Sequence, residues 1–119
     1  MMFFESVAAA KADFERRGSE RYPIEREVRY RIVGKKASDE AGSGTTVNIS
    51  SSGVLFTTEK MLIPGKRIEM AISWPAQLND KCALKLIARG RIVRYEKGLA
   101  AISIQQYEFR TMGAGGLTI

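Results

Sequence analysis

The sequence predicts an all-β fold, a six-stranded antiparallel β-barrel with a short N-terminal helix. Apolar residues recur at every second position in run after run after Pro23, the period of a half-buried strand. The runs are short, separated by polar and Gly/Pro turns, with almost no helical pattern between them. Closing such a set of strands into a barrel also removes exposed strand edges.

The elements follow in order. Residues 1–15 read as a helix, because Phe3, Val7, Ala10 and Phe14 fall at helical spacing with Glu5, Lys11 and Asp13 off that line. The stripe is short, so this helix is expected to pack on the domain or on another copy. In the first strand Val28, Tyr30 and Ile32 point inward and Arg29 and Arg31 outward. "KKASDEAGSG" reads as a polar loop. "TTVNI" is a strand with Val47 and Ile49 inward, "SSSG" breaks it, and "VLFTT" continues beyond the break. Pro64-Gly65 is the tip of a turn. Ile68, Met70, Ile72 and Trp74 alternate against Arg67, Glu69, Ala71 and Ser73. After the loop "PAQLND", Leu84, Leu86 and Ala88 begin a long strand that runs through Arg94. Tyr95 to Gly98 is a hairpin turn, and Ala100, Ile102 and Ile104 form the return strand. "YEFR" reads as one helical turn and "GAGG" as a loose tail. The implied division is a helical extension over 1–15, the barrel over 16–107 and a tail over 108–119.

A chain of 119 residues that is 45% hydrophobic is one domain with a core of its own. No segment approaches the length of a membrane helix, and the N-terminus lacks the layout of a signal peptide. Cys82 stands alone and has no internal disulfide partner, so a reducing, cytoplasmic setting is expected.

Catalysis is not expected. The sequence has no histidine, and Ser50, Ser51 and Ser52 have no histidine base to activate them. Asp39 and Glu40 sit in a loop without metal-ligand spacing, and Cys82 reads as a small half-buried hydrophobe. No metal and no cofactor are expected.

Charge points instead to an anionic ligand. The formal net charge is +6, and the stretch from Arg16 to Lys36 alone holds eight Lys/Arg against three acids. That concentration fits a nucleotide, a nucleic acid or an acidic membrane. Within it lies Arg17-x-x-x-Arg21. Arginine suits phosphate and guanine because its planar fork donates two parallel hydrogen bonds and its face stacks on a base. A second polar element, Asn48-Ile49-Ser50-Ser51-Ser52-Gly53, lies where one strand ends and the next begins. With Ile49 inward, Asn48 and Ser50 are expected to project together on the outer face. Gly53 is suited to a positive φ or to close approach of a ligand to the backbone. Alone, the first reads better as a charged linker and the second as an ordinary polar turn.

Together and in this order they resemble the signature of the PilZ domain family, RxxxR followed by (D/N)xSxxG. "RRGSERYP", "VNISSSGVLF", "GKRIEMAISWP" and "IARGRIVRYEKGLAAISI" also resemble the family, so the likeness covers about residues 16–107. It implies a stand-alone, six-stranded barrel that is a bacterial receptor for the second messenger cyclic di-GMP. It also implies that Arg17 and Arg21 bind guanine and phosphate groups, that Asn48 and Ser50 contact the ligand from the barrel surface, and that Gly53 permits the local backbone. In the family an arginine immediately before the signature, here Arg16, accompanies two intercalated ligands per domain; the other reading is that Arg16 only adds to the local field. The output implied is a conformational change read by an effector protein in motility, polysaccharide production or virulence, from a monomer or homodimer. The competing readings are an interaction module without ligand and a small basic barrel that binds nucleic acid. The latter lacks aromatics interleaved with the basic strands, since Tyr30 points inward.

Overall fold

The computed structural model describes residues 11, 12, 14, 15, 23–34, 41–74 and 84–111. Six strands follow in order: β1 (Glu27–Val33), β2 (Ala41–Ile49), β3 (Gly53–Thr58), β4 (Arg67–Trp74), β5 (Leu84–Glu96) and β6 (Leu99–Thr111). Every pairing is antiparallel, and the order β1-β2-β3-β6-β5-β4 closes on itself through the β1–β4 ladder. The predicted all-β barrel is therefore the fold. Helical backbone at Lys11, Ala12, Phe14 and Glu15 is what the described residues show of the N-terminal helix.

Alternation explains the core. Val28, Tyr30 and Ile32 of β1, Ile68, Met70, Ile72 and Trp74 of β4, and Leu84, Leu86 and Ala88 of β5 all point inward and are buried. Phe56, Ile92, Ala100 and Ile102 complete the packing from β3, β5 and β6. The Tyr30 hydroxyl lies inside this core, 2.7 Å from Thr58 Oγ1. Burial raises the Tyr30 pKa against the lowering effect of that hydrogen bond, so the phenol stays neutral.

Three local expectations change. The loop expected over 35–44 gives way to β2 at Ala41, because residues 41–45 find backbone partners on Arg31 to Glu27 of β1. Val47 was expected inward; it is 37% exposed, and Thr46 is the buried residue. A register shift between Thr46 and Asn48 inserts a bulge in the β2–β3 ladder, which reverses the phase of the alternation. Residues 107–110 are strand, not a helical turn. Tyr107 to Thr111 pair with Ala88 to Leu84, and this ladder outweighs local preference.

The hairpin at 95–98 is tight as expected. Glu96 pairs with Leu99 across Lys97 (φ 51°) and Gly98 (φ 81°), the left-handed pair that a two-residue type I′ turn demands.

Candidate functional site

Strand direction fixes what meets at each end of the barrel. With all pairings antiparallel, the start of β1, the end of β2, the start of β3 and the end of β4 share one end. The turn between β2 and β3, residues 50–52, lies there. So does Trp74, and β6 runs on past it to Phe109.

Ser50 organises the turn. It is fully buried, with its Oγ 3.2 Å from the Gly53 amide and 3.3 Å from the Ser52 amide, both of which donate to it. The Ser52 hydroxyl is 3.1 Å away. Backbone bonds reinforce the closure: the Ser50 amide donates to the Gly53 carbonyl at 2.8 Å, and the Ile104 amide to the Ser52 carbonyl at 2.9 Å. The Ser-Ser-Ser-Gly run folds this way because a serine side chain can cap amides two and three residues on, in place of strand pairing. The expectation that Ser50 projects outward beside Asn48 is thus corrected. Ser50 lies just past the end of β2, where strand alternation no longer sets its direction, and its hydroxyl turns into the loop. Asn48 is half-buried on β2, opposite Leu55 of β3. Gly53 has no positive φ; among the described residues the positive-φ glycines are Gly65 and Gly98. It opens β3 in register with Ser103 of β6 and is buried.

The chain before β1 is fastened at this same end by two anchors. Phe14 is fully buried and makes edge-to-face contacts with Trp74 at 5.3 Å, Tyr107 at 5.0 Å and Phe109 at 5.7 Å. Beside it the Tyr107 hydroxyl donates to Glu15 Oε2 at 2.6 Å. Burial and the Glu15 carboxylate push the Tyr107 pKa up to about 12, so the phenol remains a donor throughout the physiological range. The second anchor is the approach to β1. The Thr46 hydroxyl donates to the Ile24 carbonyl and accepts the Arg26 amide at 2.9 Å, while the Thr46 amide donates to the Arg26 carbonyl at 2.9 Å. Arg26 Nε reaches Ser73 Oγ at 3.1 Å. Arg16, Arg17 and Arg21, expected to grip the ligand, lie outside the described residues, between these two anchors in sequence. Cys82 also lies outside them.

Of the basic stretch read from the sequence, the described residues include Arg26, Arg29 and Arg31, and each has a partner. Arg26 is spent on Ser73 at the site end. Arg29 pairs with Glu27 at 3.4 Å on the outer face. Arg31 and Arg89 converge on one carboxylate, Glu69, with Arg89 at 2.7 Å. The hydrogen bonds from Arg89 and Arg31 hold the Glu69 pKa below the ordinary carboxylate value. The anchors were missed at the sequence level. Phe14 showed in the helical stripe but without its docking partners, and Thr46 gave no signal because a bulge leaves no mark in composition.

A family model described as PilZ domain matches residues 15–112. The chain belongs to the PilZ domain family. The crystal structure of the PilZ domain of CeSA from a cellulose-synthesizing bacterium is similar in fold, with a TM-score of 0.56 and 18% identity. That likeness covers 74% of this chain and 82% of the other. Comparison with curated proteins gave no match. PilZ domains are a cyclic di-GMP-binding family, receptors rather than catalysts. No helix among the described residues of this PilZ domain is long and apolar enough to cross a membrane.

Proposed function

We propose that this PilZ domain is a cyclic di-GMP receptor whose signature residues hold the dinucleotide at the Ser50–Gly53 end of the barrel. The observation that carries the reading is the shared location of the Asn48–Gly53 turn and both anchors of the arginine-bearing segment. Phe14 and Ile24–Arg26 fix where that segment leaves and rejoins the barrel. Arg17 and Arg21 then supply the forks for guanine edges and phosphates. Asn48 offers amide donors and acceptors to the ligand. Ser50 acts through the backbone it shapes, and Gly53 lets the ligand approach that backbone.

Three closely spaced guanidinium groups repel one another, and an anion with two phosphates relieves the repulsion. Ligand binding therefore orders the Arg16–Arg21 segment and changes the surface offered to an effector protein. Arg16 adds a third cation and supports two stacked ligands per domain.

The test is a calorimetric titration with cyclic di-GMP, GTP and a short single-stranded DNA at two salt concentrations. Tight, saturable binding of cyclic di-GMP alone is expected. Binding of the DNA across unrelated sequences with a steep loss in salt would instead establish a nucleic-acid barrel. A stoichiometry near one nucleotide per chain would reject the stacked pair. Unchanged amide protection of residues 1–22 on adding ligand would reject the ordering.

A further inference from the structure

The end of the barrel opposite the signature turn carries a second feature, made of the β3–β4 loop and the neighbouring stretch of β5. Met61 is 80% exposed, Ile63 57% and Val93 60%, the three most exposed large apolar side chains among the described residues. Their exposure is built in. Leu62, between the first two, is buried in the core and pins the loop, so its neighbours on either side face outward. The Gly65 amide donates to the Ile92 carbonyl at 2.7 Å, and the Ile92 amide to the Lys66 carbonyl at 2.9 Å. These bonds extend the β4–β5 ladder by a step and bring the loop alongside Ile92 and Val93. A register shift between Ile92 and Arg94 breaks the alternation of β5 at Val93.

Cations surround this apolar tip. Lys60, Lys66, Arg67, Arg91 and Arg94 are all exposed, against Glu59 and Glu96. Arg91 Nη1 donates to the Gly65 carbonyl at 2.8 Å, which fastens one cation directly to the loop. Single exposed apolar residues are ordinary, but two held outward by a pinned loop beside a third on β5, with cations around them, are a recognition surface.

We infer that this end of the barrel docks on an anionic lipid surface. Protruding aliphatic side chains enter the headgroup boundary while the surrounding Lys and Arg meet lipid phosphates, the combination that peripheral membrane binding requires. Charge complementarity selects an acidic surface, and the protruding tips of Met61 and Ile63 suit penetration into a bilayer without a preformed matching cavity. The contact leaves the Ser50–Gly53 end directed away from the membrane, open to ligand. It does not rest on the nucleotide reading, since none of its residues belongs to the signature.

The experiment is co-sedimentation of the purified full chain with phosphatidylglycerol–phosphatidylcholine vesicles and with phosphatidylcholine vesicles alone. Binding to the mixed vesicles, weakened by salt and weak on phosphatidylcholine, is expected. The double variant Met61→Ser/Ile63→Ser should lower the partition coefficient by about tenfold or more. Lys66→Ala and Arg94→Ala should each lower it by about fivefold. Arg91 is left intact because its guanidinium also holds the loop. Cyclic di-GMP titration and the unfolding midpoint should not move in any of these variants, which separates this surface from the nucleotide site and from misfolding. No binding to the mixed vesicles overturns the inference, and an acidic protein docking here instead would give that result. Wild-type binding by Met61→Ser/Ile63→Ser overturns it too, since the attraction would then come from net charge or from the N-terminal segment.

Discussion

The Ser50–Gly53 turn and the chain that leads into β1 occupy the same end of the barrel but are held there by different forces. The turn is part of the barrel's own hydrogen bonding. Its amides donate to the Ser50 hydroxyl and the Gly53 carbonyl, and its Ser52 carbonyl accepts the Ile104 amide of β6. The leading chain is fastened at separate points, by an aromatic cluster around Phe14 and by Thr46 and Ser73 around Ile24–Arg26. A receptor that responds to its ligand needs one rigid half to define the site and one half that can be reordered. Hydrogen bonding inside a closed barrel supplies the first, and on the proposed function the arginine-bearing segment between Phe14 and Ile24 supplies the second.

The sharpest way to break that comparison is to remove an anchor. Phe14→Ala takes a fully buried ring from among Trp74, Tyr107 and Phe109 and should cost roughly 3–5 kcal/mol of stability, read from denaturant unfolding. An unchanged midpoint would show that the leading chain is not fastened where the structure places it. Next in size is Arg21→Ala. It should lower cyclic di-GMP affinity about tenfold to a hundredfold, the worth of a lost charge-assisted bond of roughly 1.5–3 kcal/mol, with folding unaffected. Wild-type affinity in this variant would remove Arg21 from the site.

The turn responds in the opposite sense. Ser50→Ala removes the hydroxyl that accepts the buried Gly53 amide and the Ser52 amide and should cost about 1 kcal/mol of stability, with affinity falling as the turn loosens. Asn48→Ala should weaken binding with a smaller stability change. If both variants affected affinity alone, the turn would be a contact surface and not a scaffold.

Smallest is Glu69→Gln, away from both halves. Its arginine partners are 43% and 45% exposed, so the loss should be about 1 kcal/mol or less. Because the folded-state pKa of Glu69 is depressed, its contribution is present above the ordinary carboxylate value of 4.5 and is lost as pH falls through the folded value. The stability gap between wild type and Glu69→Gln should therefore close on acidification. A gap that widened in acid would contradict the pairing.

The fold was legible because strand period and turn chemistry are local. Val28, Tyr30 and Ile32, or Ile68, Met70, Ile72 and Trp74, declare their buried face by alternation alone, and the break at Tyr95–Gly98 between two alternating runs declares its hairpin. The candidate site was legible as a pair of motifs, with the residue types that recognise phosphate and guanine. Its geometry was less so. The phase of β2 depends on a bulge at Thr46–Asn48, which arises from pairing with β3 and cannot be read from β2 by itself. Ser50 lies past the end of β2, and the hydrogen bonding of the turn makes it an inward cap in place of an outward contact.

Sequence by itself determined the barrel, its six strands, the basic character of the leading chain and the order of the two signature elements. These rest on periodicity and side-chain chemistry, properties that each residue carries with it. The tertiary structure alone decided that Phe14 docks on Trp74 and Phe109 and that Thr46 ties down Ile24 and Arg26. It also decided that Tyr107 to Thr111 extend β6. Those outcomes depend on which strands lie side by side once the barrel closes, and closure brings together residues far apart in the chain.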